Sequence, residues 1–255
     1  MLRWASVVLG ACVVKGLARS FGSATRIPRL ILAGSNQCIR HIQLLKSLSS
    51  SPLKRLRVAY IPTAYTFLEK DSKSTRSIGD RRRRRMAEAR KKGRILGEVL
   101  DMEVETVELS KHISVSRQRL SRLLGGVDIV YVDGGNTYYL LECMRLSGFC
   151  EEIRERDCIY VGVSAGAISA GRSIETVSWK GWDDITIAPD TDWSLKTALE
   201  GLRLTEKVIF PHFDPELHSE LVERKTRENG WSIYDSDSGD GDVVLLGDQD
   251  VHVEW

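Results

Sequence analysis

No aspartate or glutamate occurs before Glu69, although ten lysines and arginines fall in that span. So lopsided a stretch is unlike the mixed-charge surface of an ordinary domain and reads as an added N-terminal segment. Residues 1–29 hold five basic residues and no acid. Their apolar run, Ala5–Val14, is too short to span a bilayer. What remains is an organellar transit peptide, a secretory signal ending near Ala18, or a plain cytosolic extension. Removing those five from the 37 basic residues leaves 32 against 35 acids, so the part expected to fold, residues 30–255, is slightly acidic.

Other absences narrow the class. The five cysteines (Cys12, Cys38, Cys143, Cys150, Cys158) form no C-x-x-C pair. That excludes a zinc ribbon and argues for reduced thiols rather than a disulfide framework. There is no internal repeat, and neither G-x-x-x-x-G-K-[ST] nor G-x-G-x-x-G occurs among the glycine turns discussed below, which weighs against a nucleotide cradle. Nothing aromatic interleaves with the basic run Arg81–Arg85 and its followers Arg90, Lys91, Lys92 and Arg94, as a nucleic-acid stacking surface would require. A solvated helix face or basic loop is the simpler reading of that run.

What is present is alternation. "RLILAGS" reads as a strand before a helical pattern over 36–48. "LRVAYIPTA" is a strand stopped by Pro62, and 69–80 reads as loop. Helical spacing over 86–100 precedes the strand "EVETV". A helix over 114–124 is closed by Gly125-Gly126, and "VDIVYV" has the unbroken apolar character of a strand buried on both faces. Strand–helix alternation with short turns predicts an α/β fold with a mostly parallel central sheet and helices on both faces. The 255 residues suit one such domain.

Two strands run into glycines. In "YVGVSAGAISAG", residues 162–166 match G-x-S-x-G, a strand-to-helix turn that lifts a serine Oγ clear of the sheet and leaves the next backbone N–H free. Close helix–strand packing is the alternative use of those small residues. In "YVDGGNTYYLL", Gly134-Gly135 lets backbone approach a substrate oxygen, and Asn136 adds a polar side chain beside it. A nucleophilic serine needs a base. Of five histidines, His212 in "VIFPHFDPE" follows an apolar strand, the usual position for site residues in open α/β sheets. His41, His112 and His218 read as structural. A metal around His212, Asp214 and His218 is a weaker reading: His218 falls one turn into the helix, and no further ligand is apparent.

These three stretches, in this order, resemble the peptidase E and cyanophycinase family of serine peptidases, over roughly Leu30 to the C-terminus. The resemblance implies a class I glutamine amidotransferase-like fold, with serine in place of cysteine at the elbow. It implies Ser164 as nucleophile, His212 as general base, and the N–H groups of Gly135 and Ala165 as oxyanion hole, with Gly134 and Asn136 beside the substrate. It also implies an acid near the C-terminus, in a turn before an apolar strand. In "IYDSDSGDGDVVLLG", Asp240 best fits that description, with Asp237 as alternative and Asp235 behind it.

The implied substrates are small peptides with an aspartyl residue at the cleaved bond, α- or β-linked. Their carboxylate calls for a cation, for which Arg172, Lys180, Arg224 and Arg227 are candidates. Trp179, Trp182 and Trp193 are candidate pocket walls or core. Ile168 stands where peptidase E proper has asparagine, a departure that bears on specificity. No metal or cofactor is expected, nor a nucleic-acid or membrane partner; a homodimer is admitted. Two rival readings are an α/β-hydrolase using Ser164, Asp240 and His252, and a family-like binding module without activity.

Overall fold

The computed structural model describes residues 29–49, 55–67, 78–113 and 117–255. The proposed leader lies outside these residues, apart from Arg29.

In chain order the elements are β1 (Leu30–Ala33), α1 (Ile39–Ser49), β2 (Arg57–Ile61), α2 (Thr63–Thr66), α3 (Ile78–Leu100), β3 (Glu103–Thr106), α4 (Arg117–Leu123), β4 (Ile129–Val132) and α5 (Thr137–Leu146). There follow α6 (Phe149–Arg154), β5 (Ile159–Val163), α7 (Ala165–Ala170), α8 (Thr176–Lys180), β6 (Val208–Pro211), α9 (Pro215–Asn229), β7 (Val243–Leu246) and β8 (Val251–Glu254).

Six strands form one sheet in the order β3-β2-β4-β5-β1-β8. The first five run parallel, and β8 closes the edge antiparallel to β1. Side chains alternate across a strand, and the two faces sort accordingly. Leu30, Leu32, Val130, Val132 and Tyr160 pack under α4, α5, α6 and α7. Ile31, Ala33, Ile129, Tyr131 and Val161 pack under α1 and the end of α3. Helices therefore cover both faces, as the apolar runs predict. Fully burying each leucine, isoleucine or valine among them stabilises the fold by about 1.5–3 kcal/mol.

Two features depart from the sequence reading. First, α3 begins at Ile78, so residues 78–80, expected as loop, are helical, and of the two readings of Arg81–Arg85 the helix face holds. Several of these cations are engaged by the fold. Arg85 donates to Tyr65 O at 2.7 Å and lies over the Phe67 ring. Lys92 Nζ pairs at 2.5 Å with Asp133, whose side chain is fully buried. Second, β6 and β7 form a separate two-stranded parallel sheet, with a small core of Trp179, Val208, Phe210, Val222 and Val243. Apolar runs alone do not tell which sheet a strand joins.

All four described cysteines are free, with Cys38, Cys143 and Cys150 buried. Among the described residues no helix is long and apolar enough to cross a membrane.

Candidate active site

Parallel strands deliver their C-terminal ends to one edge, and four turns meet there. Strand β5 breaks at Ser164, whose φ of 49° and ψ of −108° are those of a forced turn, not a helix cap. A non-glycine residue held there costs on the order of 1–3 kcal/mol, which the surroundings must supply. Gly166 shows how: a Cβ on it would stand 2.3 Å from Val132 O, so β4 and the first turn of α7 pack without space for a side chain. Ala165 opens α7, where an N–H has no preceding helical carbonyl to bond.

Strand β4 ends in Asp133-Gly134-Gly135-Asn136. Gly135 has φ 141°, and a Cβ there would lie 2.2 Å from Ala64 O. The position requires glycine on both counts. A Cβ on Gly134 would come within 3.1 Å of Ser164 Cβ, so this turn lies directly against the elbow. The buried Asp133 carboxylate accepts from Gly134 N at 2.8 Å and from the Tyr60 hydroxyl, holding the turn from behind.

Strand β6 delivers His212, itself at φ 53°. Its Nε2 stands 2.9 Å from Ser164 Oγ, and its Nδ1 stands 2.7 Å from Asp248 Oδ1. Hydroxyl, imidazole and carboxylate thus form one continuous hydrogen-bonded chain. The side chain on His212 Nδ1 is therefore Asp248, not Asp240 or Asp237. Register explains this correction. In the β6–β7 pair Pro211 is opposite Leu246, so His212 and the Gly247–Asp248 turn leave the sheet at the same edge. Asp240 and Asp237 precede β7 at the opposite end, a strand length of about 13 Å away at roughly 3.3 Å per residue. There Asp235 N donates to Asp240 O at 2.8 Å, and Asp237 N donates to Asp235 Oδ1 at 2.9 Å within the exposed turn. A signal for Asp248 was available, because "GDQDVHVEW" is also an acid-bearing turn before an apolar strand.

The remaining sequence candidates fall into place around this chain. The cleft beside Ser164 is lined by Gly135, Thr137, Ile168, Lys180, Asp183 and His212, among others. Of the four cations named above, Lys180 lines it. Arg172 instead pairs with Asp242 at 2.8 Å and stacks on Trp231, while Arg224 pairs with Glu228 on the α9 surface. Arg227 is exposed in the last turn of α9. Lys180 Nζ donates to Pro211 O and, at 3.0 Å, to His212 O. Burial lowers its pKa to about 8, with the Asp248 carboxylate opposing the drop.

Asn136 does not reach into the cleft. It caps α5, accepting from Tyr139 N at 2.9 Å, and its amide donates to Asp184 O at 2.9 Å. Both polar ends of this buried side chain are committed to backbone: the oxygen caps α5, and the amide holds the loop that carries Asp183. Trp182 is 61% exposed and lies against the His212 ring, with centroids 5.7 Å apart. Trp179 sits in the small core, and buried Trp193 donates to Ala188 O at 2.9 Å.

His252 lies in β8 and contacts Glu254 at 3.1 Å, with its ring against Tyr234. His218 Nδ1 accepts from Asp214 N at 2.9 Å. Among the described residues no group of three or more His, Cys, Asp or Glu side chains is arranged to hold a metal ion.

A serine on a strained strand-to-helix turn, backed by imidazole and carboxylate at the edge of a parallel sheet, defines a serine hydrolase of the α/β class. Residues 30–252 match the model of peptidase family S51, and the chain belongs to that family of serine peptidases. One solved structure resembles it in fold, and a second is a weaker match. A protein from Listeria monocytogenes EGD-e assigned as a peptidase E superposes with a TM-score of 0.57 at 22% identity, covering 89% of this chain and 93% of the other. A peptidase from an acI-B1 actinobacterium gives a TM-score of 0.49 at 19% identity, covering 76% of this chain and 74% of the other. Among curated proteins none matches the chain.

Proposed function

We propose that the chain hydrolyses small peptides through an acyl-enzyme on Ser164. His212 Nε2 takes the proton from Ser164 Oγ as the oxygen attacks the scissile carbonyl. It then returns that proton to the leaving amine, and activates a water that releases the acyl group. Asp248 fixes the His212 tautomer with Nδ1–H directed at the carboxylate and favours the imidazolium formed during attack. The N–H groups of Gly135 and Ala165 bind the oxyanion. The observation that carries this reading is the unbroken Ser164–His212–Asp248 hydrogen-bonded chain.

For the substrate, Lys180 is the candidate partner of an acidic side chain. It lines the cleft beside the nucleophile, and two of its three donors are held by the carbonyls of Pro211 and His212, leaving one for a ligand. Peptides with an aspartyl residue on the acyl side of the cleaved bond, α- or β-linked, fit that donor. Wild type and Ser164→Ala should be compared on Asp-X, β-Asp-X and unrelated dipeptides. Hydrolysis of the aspartyl peptides by wild type alone is the expected result; undiminished activity in Ser164→Ala would refute the mechanism. A serine-directed phosphonate probe that failed to label wild type would favour a binding module instead.

A further inference from the structure

One member of the basic run on α3 turns inward. Arg90, Lys91 and Arg94 are exposed, but Lys92 Nζ reaches the fully buried Asp133 carboxylate. A glycine permits that reach. A Cβ on Gly93 would stand 2.8 Å from Thr106 Oγ1 and 3.1 Å from the Tyr60 ring, so α3 lies close upon β2 and β3 there. The Lys92 ammonium also stands 5.3 Å from the centre of the Tyr65 ring. Among the described residues Lys92 is the cation paired with Asp133. The other basic group nearby, His41, is neutral at pH 7, because burial lowers its pKa to about 4.

Asp133 divides its two oxygens between the helix and the turn. Oδ2 accepts from Lys92 and from the Tyr60 hydroxyl, which the Tyr65 hydroxyl meets at 3.0 Å. Oδ1 accepts from Gly134 N at 2.8 Å. The neighbouring N–H groups are tied as well. Asp133 N donates to Ile61 O at 3.0 Å, Asn136 N to Ala64 O at 2.7 Å, and Thr137 N to Asp183 Oδ2 at 2.7 Å. Of the successive N–H groups from Asp133 to Thr137, only that of Gly135 has no acceptor among the described residues. Gly135 lines the cleft beside Ser164.

We infer that Lys92 is a positioning residue for the reaction at Ser164: its charge balances the buried Asp133 carboxylate, which holds Gly134 N back and leaves the Gly135 N–H for the oxyanion. A buried carboxylate stripped of its counter-charge is strongly unfavourable, and the side chain must turn to water or become neutral. Either way the charge-assisted bond to Gly134 N is lost, and the turn loosens. Deleting an oxyanion-hole donor costs about 10²- to 10³-fold in kcat, so loosening one should cost on the order of 10-fold. The loss falls on kcat and not on KM, because the donor acts on charge that develops only in the transition state.

The inference rests on the proposed hydrolysis at Ser164, and its test separates the two. Lys92→Met, Lys92→Arg, Lys91→Met and the Lys92→Met, Asp133→Asn double variant would be assayed on an aspartyl dipeptide, each below its melting temperature. Lys92→Met should lose kcat about 10-fold with KM within about 2-fold, while Lys92→Arg keeps kcat within about 3-fold and the exposed Lys91→Met is unchanged. Removing one partner of a buried ion pair also destabilises the chain, and the double variant, which buries no unpaired charge, separates that effect. Its melting temperature should recover while kcat stays low, because asparagine offers Gly134 N only a neutral acceptor. A kcat that recovered together with stability, or wild-type kcat in Lys92→Met, would overturn the inference. The Gly134 amide proton, followed by nitrogen–proton correlation NMR, is the arm that needs no turnover. It should lie downfield in wild type, as for an N–H bonded to a carboxylate, and move upfield in the double variant; an unmoved proton would also overturn the inference. That movement in a chain without peptidase activity would sink the hydrolytic reading and leave the Lys92–Asp133 support standing. Turnover untouched by these variants would sink the support and leave the hydrolase standing.

Discussion

Asp248→Asn discriminates most directly between the acid expected from the turn before β7 and the one the fold supplies. Asparagine is nearly isosteric, so the turn at the end of β7 should survive. It is held independently by Gly247 N donating to Asp250 Oδ2 at 2.9 Å and Asp250 N donating to Gly247 O at 3.0 Å. What changes is the atom facing His212 Nδ1, now 2.7 Å from a carboxylate oxygen. Where such an acid is fully buried, the amide substitution costs about 10⁴-fold in kcat, or roughly 5.4 kcal/mol of transition-state stabilisation. The Asp248 side chain is 56% exposed, so water screens part of its charge, and an interaction near a protein surface is worth a fraction of its buried value. A loss of about 10²- to 10³-fold in kcat is therefore expected, with thermal stability nearly unchanged, because the site is at the surface. Asp240→Asn and Asp237→Asn should each leave kcat within about 2-fold, as surface substitutions away from the site. Steady-state hydrolysis of an aspartyl dipeptide, with melting curves as control, reads all three. If Asp240→Asn proved as damaging as Asp248→Asn, or Asp248→Asn kept most of its kcat, the register argument would be refuted.

Two further outcomes follow from the same geometry. Gly135→Ala would press a Cβ to 2.2 Å from Ala64 O at φ 141°, and overpacking with backbone strain should destabilise the chain by about 2–4 kcal/mol; an unchanged denaturation midpoint would argue against this turn. Lys180 is a cation below about pH 8 and loses its charge above it, so KM for acidic dipeptides should rise through that region while KM for neutral ones stays flat; Lys180→Met should raise KM at neutral pH and remove the alkaline rise, and a wild-type KM independent of pH from 7 to 9 would contradict the role.

Much of the fold was legible because its strands are short apolar runs bounded by glycine and proline. A strand buried on both faces needs apolar residues at every position, as Ile129–Val132 and Ile159–Val163 have. The serine and histidine were legible because each stands at the end of such a strand, where topology leaves few other places for chemistry. Helix α3 was read short because its first turns carry five consecutive arginines and bury little. Their helicity shows no apolar period, and contacts such as Arg85 to Tyr65 O are distant in sequence. Asn136 misled for a related reason: an asparagine before a helix serves as cap or as ligand equally well until its partners are known.

By itself the sequence determined the α/β alternation, the glycine-bounded elbow at Ser164 and the tight turn at Gly134-Gly135, because these depend on periodicity and on residues too small to replace. Only the tertiary structure decided that β6 and β7 leave the main sheet as a parallel pair, and hence that Asp248 meets His212. It also decided that Lys180 and Asp183 enter one cleft. Strand register and the folding back of a long loop are set by contacts between residues far apart in the chain, and no local pattern encodes which distant partner a charged side chain will meet.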